Sequence, residues 1–599
     1  MSQITILLTH SGASAPPVHA FDNIDILRKI APKSRILFLA EEKHAQLFEK
    51  YLSSCEVDLA IFEFIPIETI TISPRTREFL LCTKLNRDFR SGFWLHASYR
   101  FFLIADYLIQ TDLENVLHLE NDVTLYFDPT SKIDAFHKFA SFAVPLDRVR
   151  AIPGSVWFRN AGVAVKLAEF IQQHSFPDDM AALGHFCLVN QEIAKPLPTI
   201  PNSYAQKFAL DTKRFSEGFE LFGGVFDAAA IGQYLGGVHR LNIIENSVFF
   251  INESSDLNLD HFEFSWHFEG GHRIPAISAL NQLTTILSIH VHSKELKGIS
   301  PFNCAAPNSL DDYLTGERIQ EVADITIGSS AITHFHGRGN IKTKALIELP
   351  ENPRELLTEA GQENIAHIMR SKVIFVYTHL IPYFRHFIMP WLQREFVLIT
   401  HNSDDAITFQ DLGLLNNPLL VAWYAQNIEV HHTKLRPLPI GMANRQWGAQ
   451  NLEWIQNASY QIKKTDLVYL NFNPNTHPAR REAFEKCRTL NGVTIESELP
   501  FHSYLQSLAK HKFTICPRGN GLDTHRFWEA QYLHTIPIIL RRDWNPAYSN
   551  LPVLILDNWE DLESVDLNKI YILMTTAFYD YSNLSLHAVR DAVRAELMD

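Results

Sequence analysis

Two acidic residues separated by one position are the most informative feature of the sequence. Glu120, Asn121 and Asp122 follow the apolar run Val116–Leu119 and precede further β-forming residues. In an extended chain, residues two apart point to the same side, so both carboxylates face one direction at the end of a buried strand. Paired carboxylates on a rigid element suit a divalent cation that bridges phosphate oxygens. The alternative is an ordinary surface turn that carries two acids.

Length and composition exclude several classes of protein. The chain has 599 residues, more than one hydrophobic core holds, which predicts two or three domains. Its formal net charge of −14 argues against nucleic acid or an anionic membrane as the main partner. The strongest apolar run, Phe101–Ile109, is short and contains Asp106, so we expect no transmembrane segment. The absence of a signal-peptide pattern and of C-x-x-C pairs predicts a cytoplasmic protein with reduced thiols.

Apolar runs alternate with helical patterns through the N-terminal half. Ile4–Thr9 and Arg35–Ala40 predict strands, and Glu41–Leu52 predicts a helix. Phe93–Gln110 predicts a second helix that packs on the sheet just before the acidic strand and carries Arg100. This alternation is typical of an α/β layered fold. Arg100 is expected either to form a surface ion pair or to reach a phosphate.

The stretch from Ser98 to Asp128 resembles the donor site of nucleotide-sugar glycosyltransferases with the GT-A fold, which has a single Rossmann-like mixed sheet. In that family an arginine-bearing helix precedes a strand that ends in Asp-x-Asp, whose acids hold Mn²⁺ against the donor diphosphate. The resemblance implies that Glu120 and Asp122 bind Mn²⁺ or Mg²⁺ and that Arg100 binds the donor. Glu-Asn-Asp stands here in place of Asp-x-Asp, which leaves open which acid binds the metal directly.

A second stretch, Trp157–Val165, resembles the Asn-x-Gly strand of the same family, which implies that Asn160 and Gly162 line the sugar pocket. Glycine would allow close approach of the backbone, although it also fits a bulge in a strand. Phe226–Gly237 predicts a short helix with Asp227 near its N-terminus, a position that favours an acid. Asp227 is therefore either an ordinary cap or a catalytic group on the acceptor side.

Thr284–Lys294 predicts a strand that ends in two histidines and a lysine. In the GT-A resemblance, a late histidine supplies a third metal ligand and a nearby base contacts phosphate. This implies His290 or His292 as the ligand and Lys294 as the donor-binding residue. The two histidines share one face of the strand, so the sequence does not choose between them, and a structural role for either stays open.

The apolar pattern weakens after Ser300, which predicts a domain boundary. We expect a GT-A-like domain at residues 1–305, a linker or helical connector at 306–345 and a second domain at 346–599. In the second domain, Val373–Tyr377 and Phe396–Thr400 predict strands. This domain is therefore also predicted to be α/β.

The most specific stretch of the second domain is Lys512–Tyr532. A β-run ends at Cys516, the glycine-containing loop Pro517–Gly521 follows, and a helix is predicted to begin near Asp523 or Thr524. Strand, glycine loop and helix N-terminus together predict an anion site, because free amides and the helix dipole point at a phosphate. Arg526 and Glu529 lie three apart on one helix face. They fit a diphosphate and a ribose, or form a weak surface ion pair with each other.

Residues 465–560 resemble the C-terminal half of exostosin-like glycosyltransferases, through Pro517–Gly519 and Arg526–Ala530. That family has a GT-B fold with two Rossmann-like halves and binds a UDP-sugar without a metal. The resemblance implies a compact GT-B-like domain with no cofactor, in which Glu529 is both catalytic and donor-binding. The other implied donor-binding residues are Arg480, Arg518, Gly519, Gly521 and Arg526.

Together the two resemblances imply a bifunctional glycosyltransferase that uses nucleotide-sugar donors, UDP-sugars above all, to extend a glycan or polysaccharide. The acceptor would be a glycan, free or linked to lipid or protein, and a lipid-linked acceptor would bring this cytoplasmic chain to the membrane periphery. Two alternatives stay open. In the first, one domain is an active glycosyltransferase and the other is a non-catalytic glycan-binding domain. In the second, the chain is a metal-dependent nucleotidyl- or phosphotransferase that uses the same acidic strand.

Overall fold

The protein forms two compact units in this computed structural model. Unit 1 comprises Met1–Trp266, Arg273–Asn303 and Thr575–Phe578, and unit 2 comprises His267–His272, Cys304–Met574 and Tyr579–Asp599. The structure describes residues 3–12, 14–53, 61–148, 150–237, 257–280, 282–305, 307, 309–332, 343–444, 452–459 and 462–598. Among these residues, no helix has both the length and the apolar character that a membrane crossing requires.

The first part of the chain alternates strands with helices. Its strands are β1 Thr5–Thr9, β2 Arg35–Ala40, β3 Phe62–Pro66, β4 Val116–Leu119, β5 Val123–Leu125, β6 Phe142–Pro145, β7 Ser155–Phe158, β8 Ala194–Leu197, β9 Val225–Phe226, β10 Glu263–Glu269, β11 His272–Ala279 and β12 Gln282–His290. Its helices are α1 Val18–Ile30, α2 Ala45–Ser53, α3 Pro74–Cys82, α4 Phe93–Thr111, α5 Ile133–Phe139, α6 Ala161–Gln173, α7 Asp179–Val189, α8 Asn202–Lys207, α9 Thr212–Phe215, α10 Phe219–Phe222, α11 Ala230–Gly236 and α12 Leu296–Ile299.

In the described part of unit 1, the main sheet has seven strands in the order β3-β2-β1-β4-β7-β6-β8. The pairings among β1, β2, β3 and β4 are parallel, whereas β7 runs antiparallel to both β4 and β6. A second sheet pairs β12 with β5 and β11 antiparallel and with β9 parallel. In this sheet, β2 and β3 lie on one side of β1, whereas β4 lies on its other side. The carboxyl ends of β1 and β4 therefore open a crevice at a topological switch point.

Alternating side chains of β1 divide the core of unit 1 between the two faces of the main sheet. Ile6 and Leu8 pack on one face with Ile24 of α1, and Leu7 packs on the other face with Phe101 of α4. All five are essentially inaccessible to solvent. Each such side chain contributes roughly 2 kcal/mol by leaving water. The strand is buried on both faces, as expected in a parallel sheet.

The second part of the chain repeats the alternation. Its strands are β13 Ile325–Ser329, β14 Leu346–Leu349, β15 Val373–Tyr377, β16 Phe396–His401, β17 Leu420–Ala425, β18 Leu435–Pro437, β19 Ile462–Lys463, β20 Asp466–Leu470, β21 Val493–Ile495, β22 His511–Ile515, β23 Ile536–Leu540 and β24 Leu554–Leu556. Its helices are α13 Gly316–Ile319, α14 Glu359–Arg370, α15 Ile381–Tyr383, α16 Leu412–Leu415, α17 Leu452–Ser459, α18 Pro478–Cys487, α19 Phe501–Lys510, α20 His525–Tyr532, α21 Leu567–Thr576 and α22 Leu586–Ala595.

Unit 2 contains two sheets in which the paired strands run parallel. The first has the order β14-β13-β15-β16-β17-β18 and the second the order β21-β20-β22-β23-β24. The predicted α/β fold with two Rossmann-like halves is confirmed. Strand β13 lies inside the stretch 306–345 that the sequence predicts as a connector, and it pairs with β14 and β15.

Candidate functional site

The acidic pair of unit 1 lies at the carboxyl end of β4 and is fixed by its main chain. The amide of Glu120 donates to the carbonyl of Gly154 at 3.0 Å, and the carbonyl of Asp122 accepts from the amide of Val291 at 2.8 Å. Asp122 is only 5% exposed. Both acids therefore lie on rigid backbone between the two sheets of unit 1.

Glu120, Asp122 and His290 form the one group of side chains in the described residues that could hold a metal ion, with possible ligand atoms within 4.8 Å of one another. Nε2 of His290 lies 3.3 Å from Oε2 of Glu120 and 3.2 Å from Oδ2 of Asp122. Two carboxylates and an imidazole, without a thiolate, match the donor preferences of Mn²⁺ and tolerate Mg²⁺. His292 stands outside this group, and its Nδ1 lies 3.4 Å from Nε2 of Gln233. Of the two predicted histidines, His290 is the one that the fold brings to the acids.

Two cations compensate the acidic charge. Nη1 of Arg100 lies 2.6 Å from Oε1 of Glu120, and Nη2 lies 2.7 Å from Oδ2 of Asp179. Nζ of Lys294 donates to Oδ2 of Asp122. Burial acts to raise the pKa of Asp122, but Lys294 and His290 outweigh it and hold that pKa well below its usual value.

Arg100 forms the ion pair that was one of its two predicted roles, but in a buried position. Its two terminal nitrogens are engaged by carboxylates, so it orients Glu120, and its contact with the donor stays a prediction. Its second partner, Asp179, is buried at the start of α7, and burial raises the pKa of Asp179 to about 6 despite the nearby guanidinium. Sequence reasoning missed Asp179, whose only signal was an Asp-Asp pair before a helical pattern.

Asp227 binds main-chain groups, as expected of a cap, and its catalytic role stays a prediction. Its Oδ1 accepts from the amide of Ile231 at 2.9 Å, and its Oδ2 accepts from the amides of Gly232 at 2.8 Å and His290 at 3.1 Å. Burial raises the pKa of Asp227 to about 6. A Cβ on Gly232 would lie 1.8 Å from the carbonyl oxygen of His290, so only glycine fits there. Asp227 thus caps α11 and fixes the backbone of the candidate metal ligand.

The predicted strand over Trp157–Val165 is wrong beyond Phe158, where β7 ends. Oδ1 of Asn160 instead caps α6 by accepting from the amide of Val163 at 3.2 Å. Because β7 runs antiparallel to β4, Phe158 pairs with Val116 at the start of β4.

This pairing explains why Asn160 and Gly162 lie at the opposite end of β4 from the acids. Gly154, which precedes β7, is near the site instead, and a Cβ there would lie 3.5 Å from Nδ1 of His290. The sequence pattern contained no signal for Gly154, because antiparallel pairing between distant segments decides which end of β7 meets the site.

The crevice at the carboxyl end of β1 adjoins the acidic pair. Nδ2 of Asn121 donates to the carbonyl of Thr9 at 3.2 Å. Beyond Thr9, the amide of Gly12 donates to Oε1 of Glu41 at 2.5 Å, and Oγ of Ser11 lies 3.1 Å from Nδ1 of His96. This polar loop borders the switch point of the main sheet, where open α/β sheets bind ligands.

In unit 2, two half-buried arginines lie beside the glycine-containing loop. Burial and the charge of Arg526 lower the pKa of Arg480 to about 10. Nε of Arg480 lies 3.4 Å from the carbonyl oxygen of Arg518, and a Cβ on Gly519 would lie 2.9 Å from Nη2 of Arg480. Nε of Arg526 is buried without a hydrogen-bond partner. Among the described residues neither Arg480 nor Arg526 forms an ion pair, and the charge of Asp404 only partly offsets the effect of burial and of Arg526 on the pKa of Arg480.

Glu529 does not pair with Arg526, which removes the surface ion pair as an explanation of this motif. Glu529 is 3% exposed, and its Oε2 accepts a hydrogen bond from the hydroxyl of Tyr504 at 2.9 Å. Arg518 donates at 3.2 Å to the carbonyl of Asn520 within its own loop. The fold therefore brings Arg480, Arg526 and the loop together and places Glu529 one helical turn behind them.

Asp523 fixes this loop between the two halves of unit 2. Its carboxylate accepts from the amide of Ile440 at 2.7 Å, from Nε1 of Trp528 at 2.8 Å and from the hydroxyl of Tyr548 at 3.0 Å. Its own amide donates to Oδ1 of Asn427 at 2.9 Å. Ile440 and Asn427 belong to the first half. Sequence reasoning treated Asp523 only as the start of a helix.

No protein-family model matches the sequence, and no curated protein sequence matches it. Similar solved structures include mouse xyloside xylosyltransferase 1, at 11% identity and TM-score 0.25, covering 34% of this chain and 90% of that one. The galactosyltransferase LgtC, bound to donor and acceptor sugar analogues, has 14% identity and TM-score 0.26. The match covers 38% of this chain and 85% of LgtC. The glycosyltransferase GlyE of Streptococcus pneumoniae TIGR4 has 9% identity and TM-score 0.23. The match covers 95% of this chain and 100% of GlyE. All three are glycosyltransferases, but likenesses this weak carry no argument for function.

If Glu120, Asp122 and His290 hold a metal ion, their removal should weaken the binding of Mn²⁺. Replacing Asp122 with Asn, or His290 with Ala, should weaken Mn²⁺ binding at least tenfold, because each removes one ligand. Titration followed by the electron paramagnetic resonance signal of free Mn²⁺ measures this. Asp134→Asn, an exposed acid on α5, is the control and should bind as wild type does. Equal affinity in all four proteins would contradict the assignment.

The burial of Asp523 predicts how the stability of the fold changes with pH. Burial raises its folded pKa from 3.8 to about 6, so the folded state holds the proton longer than the unfolded state. Stability is therefore lost as pH rises from about 4 to 6, by at most about 3 kcal/mol. Asp523→Asn carries no titrating proton and should show a smaller fall in the urea midpoint between pH 4 and 6. An identical fall in both proteins would refute this account.

Proposed function

We propose that the chain is a glycosyltransferase with two donor sites, a metal-dependent site in unit 1 and a metal-free site in unit 2. The observation that carries the first is the convergence of Glu120, Asp122 and His290 within 4.8 Å, with Lys294 bonded to Asp122. The donors would be nucleotide sugars, with UDP-sugars as the first choice. The acceptor would be a growing glycan or polysaccharide.

Transfer forms a bond between an acceptor oxygen and the anomeric carbon while the bond from that carbon to the nucleoside diphosphate breaks. In unit 1, a divalent cation held by Glu120, Asp122 and His290 would neutralise the departing diphosphate. Nζ of Lys294, which donates a hydrogen bond to Asp122, would donate another to a phosphate oxygen. Arg100 keeps Glu120 oriented, and Asp227 keeps the backbone of His290 in place.

In unit 2, arginine side chains would neutralise the diphosphate in place of a metal ion. Arg480 and Arg526, which form no ion pair among the described residues, supply two positive charges beside a loop whose amides lie near a helix N-terminus. Half-buried arginines without carboxylate partners favour an anion as the missing partner. A diphosphate has the matching charge and the geometry for guanidinium groups. Glu529, one turn along α20, would accept hydrogen bonds from the ribose.

The test is a screen of nucleotide sugars with glycan acceptors that measures free UDP, with Mn²⁺ or with EDTA. EDTA and Asp122→Asn should each abolish one transfer and spare the other, because only unit 1 uses the metal. Arg526→Gln should lower the second transfer by about 10²-fold through the loss of one charge-assisted contact. Arg541→Gln is the matched control, since Arg541 pairs with Asp557 on the surface.

Three results would contradict the proposal. Loss of both transfers in EDTA, with the protein still folded, would overturn the metal-free assignment of unit 2. Dependence of every activity on Asp122 alone would make unit 2 a binding module. Release of pyrophosphate in place of UDP would indicate a nucleotidyltransferase.

A further inference from the structure

A short segment near the C-terminus belongs to unit 1. Thr575–Phe578, here called the strap, follows most of unit 2 in the sequence but packs with residues of unit 1. The side chain of Arg273, 3% exposed, donates from Nη1 to the carbonyl of Thr575 at 2.5 Å, from Nε to the carbonyl of Ser300 at 2.9 Å and from Nη2 to the carbonyl of Gly298. One guanidinium thus joins the strap to the segment that follows Lys294.

Two further contacts fix the same junction. Nδ2 of Asn303 donates to the carbonyl of Gly298 at 3.0 Å and to the carbonyl of Ala577 at 2.6 Å. A Cβ on Gly298 would lie 1.9 Å from the carbonyl oxygen of Thr576. The strap therefore lies directly against α12, at a distance that only glycine permits.

Helix α12 connects this junction to the candidate metal site. It begins at Leu296, two residues after Lys294, and both Leu296 and Ile299 are buried. The hydroxyl of Tyr126 donates to the carbonyl of Ile299 at 2.8 Å. Tyr126 directly follows β5, the strand that begins next to Asp122. A shift of α12 would therefore be transmitted to Lys294, whose backbone is already in the left-handed region at φ 69°.

We infer that the strap is a positioning element of the unit 1 donor site, acting through Gly298, Asn303 and α12 on Lys294. The inference rests on the proposed function of unit 1 as a site for a nucleoside diphosphate. It means that a segment encoded near the C-terminus completes the N-terminal site. Arg273, Gly298 and Asn303 are positioning residues, and Lys294 is the group that contacts the diphosphate.

The experiment measures the Mn²⁺-dependent binding of UDP to the full chain by calorimetry. Gly298→Ala should weaken this binding about tenfold, because the new methyl group displaces the strap and with it α12. In a Lys294→Met background the same substitution should have no further effect, since the contact it disturbs is already absent. Gly413→Ala is the matched control, because a Cβ on Gly413 meets nothing within 4 Å.

Unchanged UDP binding in Gly298→Ala would overturn the inference. Equal losses with and without Lys294 would also overturn it, by showing that the strap only stabilises the fold. If Gly298→Ala does not fold, Asn303→Ala, which removes one amide, replaces it under the same criteria.

If the wild type binds no UDP, the proposed donor class fails, and hydrogen exchange then decides the inference separately. Faster exchange of the amides of residues 293–299 in Gly298→Ala than in Gly413→Ala would support the strap as a positioning element. Identical exchange would refute it.

Discussion

The arrangement of unit 1 depends on holding two carboxylates, Glu120 and Asp122, close together in a largely buried position. Like charges at this separation repel strongly, and burial adds a desolvation cost to each. Two cations supply the compensation, Arg100 from α4 and Lys294 just after β12. These contacts determine how α4 and β12 must lie relative to β4. The same compensation leaves a compact donor set for a divalent cation.

Unit 2 has the opposite electrostatic problem. There Arg480 and Arg526 lie near each other, and their repulsion together with burial lowers the pKa of Arg480. The fold maintains this arrangement by fixing the loop backbone, because Asp523 accepts hydrogen bonds from both halves of the unit. An anion would relieve the repulsion, whereas in unit 1 a cation would relieve it. Under the proposed function, the two units would bind the same diphosphate group in complementary ways.

Local patterns predicted the α/β fold, the acidic pair and the glycine-containing loop, because each depends on neighbouring residues alone. The choice of His290 over His292 needed the pairing of β12 with β5. The position of Asn160 and Gly162 away from the acids followed from the antiparallel direction of β7. Asp179 and the strap join segments far apart in the sequence. Such contacts arise from topology, on which a single sequence gives no direct information.

The most direct test of the central claim is anomalous diffraction from crystals of the protein grown with Mn²⁺ and UDP. The account predicts an anomalous peak between the carboxylates of Glu120 and Asp122 and Nε2 of His290, with the diphosphate beside Lys294. It also predicts no anomalous peak beside Arg480 and Arg526. Absence of a peak at the acidic pair, or a metal ion bound in the loop of unit 2, would contradict the division of the chain into a metal-dependent and a metal-free site.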